Sequence, residues 1–152
     1  LSRTDYWGLA GFLLVGVENN GVIEDNVAKG HAVSGFYART LENTVRDIQA
    51  TENTTGFAFF KIDESAKVIG NRATENTDRG WGVTALDGTF SDNLSRNNAA
   101  QRFAIEAIVT TGVFTDNRSF DNAGEGYKVA TDFGGAVSNN TGSGNAIHNT
   151  YP

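Results

Sequence analysis

The chain has 152 residues, enough for one domain with a continuous core, and carries 18 acidic against 12 basic side chains, a net charge of −6. That balance excludes nucleic acid as a partner, because binding phosphates needs a basic face, and no apolar run approaches the roughly 18 residues of a membrane span. With 18 glycines, a single proline at Pro152 and neither cysteine nor methionine, bends must rest on glycine, asparagine and aspartate, and no disulfide framework exists.

From the N-terminus the first aromatic anchor is Phe12, preceded by Gly11 and followed two residues later by Leu14. Glu18, Val22, Asn26, Ala28 and His31 come next. The same order then returns. Phe36 leads Ala38, Glu42, Val45, Ile48, Ala50 and Asn53; Phe57 leads Phe59, Asp63, Val68, Asn71, Ala73 and Asn76. Trp81 leads Val83, Asp87, Phe90, Asn93, Ser95 and Asn98. Phe103 leads Ile105, Val113, Asn117, Ser119 and Asn122, and Tyr127 leads Val129, Val137, Asn140, Gly142 and Asn145. Ile147 stands where a seventh anchor would fall. The anchors recur at steps of 24, 21, 24, 22 and 24 residues, a spacing that signals a stacked repeat.

Aromatic–spacer–aliphatic at each anchor is the period-2 alternation of a strand buried on one face. Glycine and asparagine break every unit too often for helix. The expected fold is therefore all-β: a right-handed parallel β-solenoid of about six to seven coils of roughly 22 residues, a single domain over residues 1–152 with no obvious caps. Phe12, Phe36, Phe57, Trp81, Phe103 and Tyr127 should form the core stack, with the valine column Val22, Val45, Val68, Phe90, Val113 and Val137 as a second inward row. Asn26, Asn71, Asn93, Asn117 and Asn140 should form one ladder of turn asparagines, and Asn53, Asn76, Asn98, Asn122 and Asn145 a second. The stacked asparagines can hydrogen-bond along the stack and tolerate a left-handed turn, and His31 should substitute in the second ladder.

The phrases "NRATENTDRGWGV" and "DNRSFDNAGEGYKV" resemble the repeats of right-handed parallel β-helix proteins of the pectate-lyase-like superfamily, over Leu1 to Asn145. The resemblance implies the fold. It spans functions from polysaccharide lyases, hydrolases and epimerases to tailspikes, adhesins and non-enzymatic surface proteins, so function must come from a site.

No Ser–His–Asp spacing, zinc motif or phosphate-cradling loop occurs, and His148 lies in the C-terminal tail; no catalytic residue is assigned and no cofactor is required. Glu18, Glu42, Asp63 and Asp87 each follow an anchor by six residues and should form a carboxylate row. Stacked about 4.8 Å apart, two carboxylates repel by about 0.9 kcal/mol in bulk water, which a divalent cation such as calcium would relieve. Arg72 and Arg118 directly follow ladder asparagines and should point outward, where they can contact an acidic polysaccharide. Of the four glycosylation sequons, at Asn53, Asn93, Asn117 and Asn139, only Asn139 avoids a ladder column. The sulfur-free, acidic composition and the absence of a capping helix fit an extracellular or cell-surface structural protein, either excised from a longer parent solenoid or self-associating end to end. The alternative is a carbohydrate-active or carbohydrate-binding β-helix acting on acidic polysaccharide.

Overall fold

The computed structural model describes residues 10–14, 21–100, 103–105, 111–129 and 134–146. They form three parallel six-stranded sheets that wind about one axis. The first sheet contains Ala10–Leu14, Ser34–Leu41, Thr55–Ile62, Trp81–Leu86, Phe103–Ile105 and Tyr127–Val129. The second contains Val22–Glu24, Thr44–Arg46, Lys67–Ile69, Thr89–Ser91, Val113–Thr115 and Ala136–Ser138. The third contains Val27–Lys29, Gln49–Thr51, Arg72–Thr74, Leu94–Arg96, Arg118–Phe120 and Thr141–Ser143. Every strand pairs with the equivalent strand one coil away, and none pairs with its sequence neighbour. From Phe12 to Tyr127 the register advances in five steps. The stack is thus about five turns of 23 residues, fewer and slightly longer than the expected six or seven of 22; Ile147 lies outside the described residues.

The anchor column forms as expected. Phe12, Phe36, Phe57, Trp81, Phe103 and Tyr127 lie directly above one another. Successive ring centroids are 5.8, 5.9, 4.0, 5.7 and 5.1 Å apart. Phe90 meets Trp81 and Phe103 edge-on, the favoured arrangement of ring quadrupoles. From Phe36 onward the anchors are fully buried, each such side chain contributing about 1.5–3 kcal/mol of burial.

Two members of the second row are corrected. Ile23 and Phe114 face inward in register with Val45, Val68, Phe90 and Val137, while Val22 and Val113 stand on the outer face, 54% and 37% exposed. Adjacent apolar residues at 22–23 and 113–114 make a period-2 reading ambiguous by one. The inward residue always lies three before the first asparagine column, and that offset resolves it.

The bends rest on aspartate, asparagine and glycine as expected, with glutamate at two of them. The left-handed residues are the ones immediately before the ladder positions. Asp25, Asp47, Gly70, Asp92, Asp116 and Asn139 turn the chain from the second sheet to the third, and Gly30, Glu52, Glu75, Asn97, Asp121 and Gly144 turn it out of the third. Their φ values lie between 52° and 74°, where short polar residues and glycine cost least. This leaves the asparagines free to aim inward.

There they make two ladders. In one, the backbone N–H of Ile48, Asn71, Asn93 and Asn117 donates to the Oδ1 of the asparagine one coil on, at 2.9–3.0 Å. The accepting amide donates back: Asn71 Nδ2 to Val45 O, Asn93 Nδ2 to Val68 O, Asn117 Nδ2 to Phe90 O and Asn140 Nδ2 to Phe114 O. The second ladder repeats this from the His31 N–H through Asn53, Asn76, Asn98 and Asn122 to Asn145. Asn26 is not a ladder member, contrary to expectation. Ile48 above it offers no side-chain oxygen, and the Asn26 amide donates to its own neighbour, Glu24 O, at 2.7 Å.

The second ladder explains the glycines before Phe12, Phe36 and Phe57, since a side chain there would meet His31, Asn53 and Asn76 respectively; Arg102 before Phe103 is the exception to the glycine pattern. A Cβ on Gly56 would sit 2.6 Å from Gly80 O and 2.9 Å from both Ala73 Cβ and Asn76 Nδ2. At Gly82, on the outer face, a Cβ would meet only an Arg79 nitrogen at 4.0 Å. Gly56→Ala should therefore cost about 1–3 kcal/mol through overpacking and Gly82→Ala within about 0.5 kcal/mol, as read by denaturant unfolding of the two variants.

Candidate functional site

The carboxylate row is half realised. Leu41, Ile62 and Leu86 are in register, so Glu42, Asp63 and Asp87, one residue on, occupy the same edge in three successive coils. Glu18 lies outside the described residues. The row contains its own cation: Lys61 Nζ stands 3.0 Å from Asp63 Oδ2 and 3.6 Å from Asp87 Oδ2. The hydrogen bond and charge of Lys61, helped by the backbone amides of Ser65 and Glu64, hold the Asp63 carboxyl below its ordinary range, and Asp63 raises the Lys61 ammonium in turn. A lysine two residues before Asp63 relieves the carboxylate repulsion that pointed to calcium. Among the described residues no three metal-ligating side chains come together.

Because Asp63 is depressed in the folded state, its stabilising share is present above the ordinary carboxylate value of 3.8 and is lost as pH falls through the folded value. Lys61→Met should raise the Asp63 titration point in an NMR pH series and flatten the acid limb of stability between those two values. An unchanged Asp63 midpoint would contradict the Lys61 assignment.

Arg72 and Arg118 stand in one outward column of the third sheet with Leu94 between them. Two coil steps separate them, about 10 Å, and both are exposed. Arg96, which sequence reasoning missed, lies on the same face in the adjacent outward column and pairs with Asp121 across one coil, Nε to Oδ2 at 3.4 Å. Lys29 pairs with Glu52 in the same way at 2.8 Å. The signal was available: position 96 follows the small inward Ser95, so it must face out. Arg72 and Arg118 have no carboxylate partner among the described residues. Of the sequon asparagines, Asn53, Asn93 and Asn117 are fully buried in the ladders, whereas Asn139 sits exposed at a left-handed corner. His31 takes the ladder place anticipated for it, its ring against the Gly11 α-carbon; His148 lies outside the described residues.

Three parallel sheets wound at about 23 residues per turn, with buried asparagine ladders beside the corners, are the mark of one architecture. The family model for the right-handed β-helix region matches residues 6–151. The chain belongs to the right-handed β-helix family. No curated protein and no solved structure matches it. Within this β-helix no helix among the described residues is long and apolar enough to cross a membrane.

Proposed function

We propose that this β-helix is a non-enzymatic structural element of the cell exterior, a surface, adhesive or filament-forming subunit whose function is the rigidity of its stack. The supporting observation is the unbroken run of the two ladders. From Ile48 to Asn117 and from His31 to Asn122, each ladder N–H that would otherwise be left without a partner is satisfied by the asparagine of the next coil. Opening one coil strands the donors of its neighbour, at about 1–3 kcal/mol per buried group, so the stack resists local opening. The absence of oxidisable sulfur suits an exterior setting. A rigid scaffold should withstand protease for hours in its native state. Asn93→Ala and Asn98→Ala should each lose about 2–4 kcal/mol of stability and be cleaved within the coils. Prompt cleavage of the wild type, or depolymerisation of a uronate polymer by it, would overturn the reading.

A second reading is favoured by the exposed Arg72 and Arg118 in one column, without a carboxylate partner among the described residues: contact with an acidic polysaccharide along the third sheet. The Lys61–Asp63–Asp87 group supports chemistry less well, since a carboxyl held below its ordinary range is a poor proton donor near neutral pH. Arg72→Ser with Arg118→Ser should abolish salt-sensitive retention on immobilised polygalacturonate while leaving stability within about 0.5 kcal/mol. Equal retention of wild type and variant would remove the binding reading.

A further inference from the structure

One corner of the stack lacks the side chain that its column supplies elsewhere. Between the second and third sheets the left-handed residues are Asp25, Asp47, Gly70, Asp92, Asp116 and Asn139, and of these six only Gly70 presents no side chain. The result is an open notch of about 320 Å³ lined by Asp25, Asp47, Ile48, Gln49, Gly70 and Arg72. That volume is at the lower end of small-molecule sites. Asp47 leans over the bare corner: a Cβ on Gly70 would lie 3.2 Å from its Oδ1. Gln49 and Arg72, register partners in an outward column of the third sheet, form the other wall.

The two walls carry opposite charges that do not close on each other. Asp25 and Asp47 stand on successive rungs, about 4.8 Å apart, where their carboxylates repel. Arg46 is hydrogen-bonded to Glu24 and so engaged outside the notch. Arg72 lines the same notch as both aspartates yet has no carboxylate partner among the described residues. The corner therefore offers acceptors only, the strand a guanidinium that only donates, and Gln49 one group of each kind. A simple cation would meet Arg72, and a simple anion would meet Asp25 and Asp47. Gly70 and Arg72 are two residues apart, at most about 7 Å. A complementary ligand carries an ammonium and a carboxylate at about that separation, which is the reach of a dipeptide.

We propose that the Gly70 notch binds a short zwitterion, of which a free dipeptide is the simplest. Its ammonium sits against the Asp47 and Asp25 carboxylates, its carboxylate against Arg72, and its peptide group within reach of the Gln49 amide. This site goes beyond the rod reading and stands without it. With the acidic-polysaccharide reading it shares Arg72 but not Arg118.

Glycylglycine, its N-acetyl derivative and its C-terminal amide test the two charged contacts separately. Each is titrated at equal ionic strength while the amide NMR signals of Ile48, Gln49 and Gly70 are followed. Glycylglycine should move these signals with an affinity about threefold above that of either blocked form, since each block removes one exposed ion pair. Gly70→Asn puts into the notch the side chain that Asn139 carries in the same column and in a similar left-handed conformation. It should unfold at the wild-type temperature and lose the response. Asp47→Asn, which keeps the shape of the corner, should lower the affinity about threefold. Arg118→Ser should leave it unchanged, so the outcome is separable from retention on polygalacturonate. No response to glycylglycine, equal affinity for all three peptides, a response that survives in folded Gly70→Asn, or a stronger response to glucose than to glycylglycine would overturn the site.

Discussion

Everything in this fold depends on where the corner N–H groups go. A solenoid with short left-handed corners turns backbone donors along the stack, into protein and away from water, and a buried donor without an acceptor costs a large fraction of a domain's stability. The asparagine of the next coil reaches back to accept, and its amide returns a bond to the coil it came from. This reciprocal bond fixes the vertical spacing. The spacing places Phe57 on Trp81 and Trp81 on Phe103, and it leaves no room for a side chain against Asn53 and Asn76, at Gly35 and Gly56.

The acidic character of the chain follows from the same constraint. Left-handed corners select aspartate, asparagine and glycine, and Asp25, Asp47, Asp92, Asp116 and Asp121 occupy them. The negative charge is in good part a by-product of turn geometry. Glu52 and Glu75 occupy such corners against their conformational preference, and Glu52 is held by its pairing with Lys29. Basic side chains on the flat strands meet acids in an adjacent coil: Lys29 with Glu52 and Arg96 with Asp121 one coil on, and Arg46 with Glu24 one coil back, through Nε at 2.7 Å.

Legibility varied with how many physical signals agreed at a position. The anchor column was readable because glycine, aromatic and aliphatic recur together, each for a separate reason. The ladders were readable because buried asparagine at fixed spacing has few other uses. The second inward row was misassigned by one residue at Val22 and Val113, where two apolar neighbours compete and only distance to the asparagine decides. Composition pointed to aspartate, asparagine and glycine at the bends but not to which residue of each corner turns left-handed; the residue before the ladder position does, because the ladder needs the asparagine side chain. Lys61 was invisible to a reading that tracked carboxylates alone; its partnership with Asp63 and Asp87 exists only once strand register brings two coils together.

Ile48 interrupts one ladder between Asn26 and Asn71. Across that corner no ladder asparagine joins the first coil to the second, which are held by strand pairing, the other ladder, the Gly21 N–H to Asn43 Oδ1 bond and the exposed Arg46–Glu24 and Lys29–Glu52 pairs, while every later corner has both ladders. Unfolding of a one-dimensional stack starts where neighbour coupling is weakest, so this seam sets a direction. Amide hydrogens of residues 21–30 should exchange first, and coils should peel from that end toward the doubly laddered middle. A single apolar side chain thereby gives an otherwise repetitive stack a polarity in time as well as in sequence.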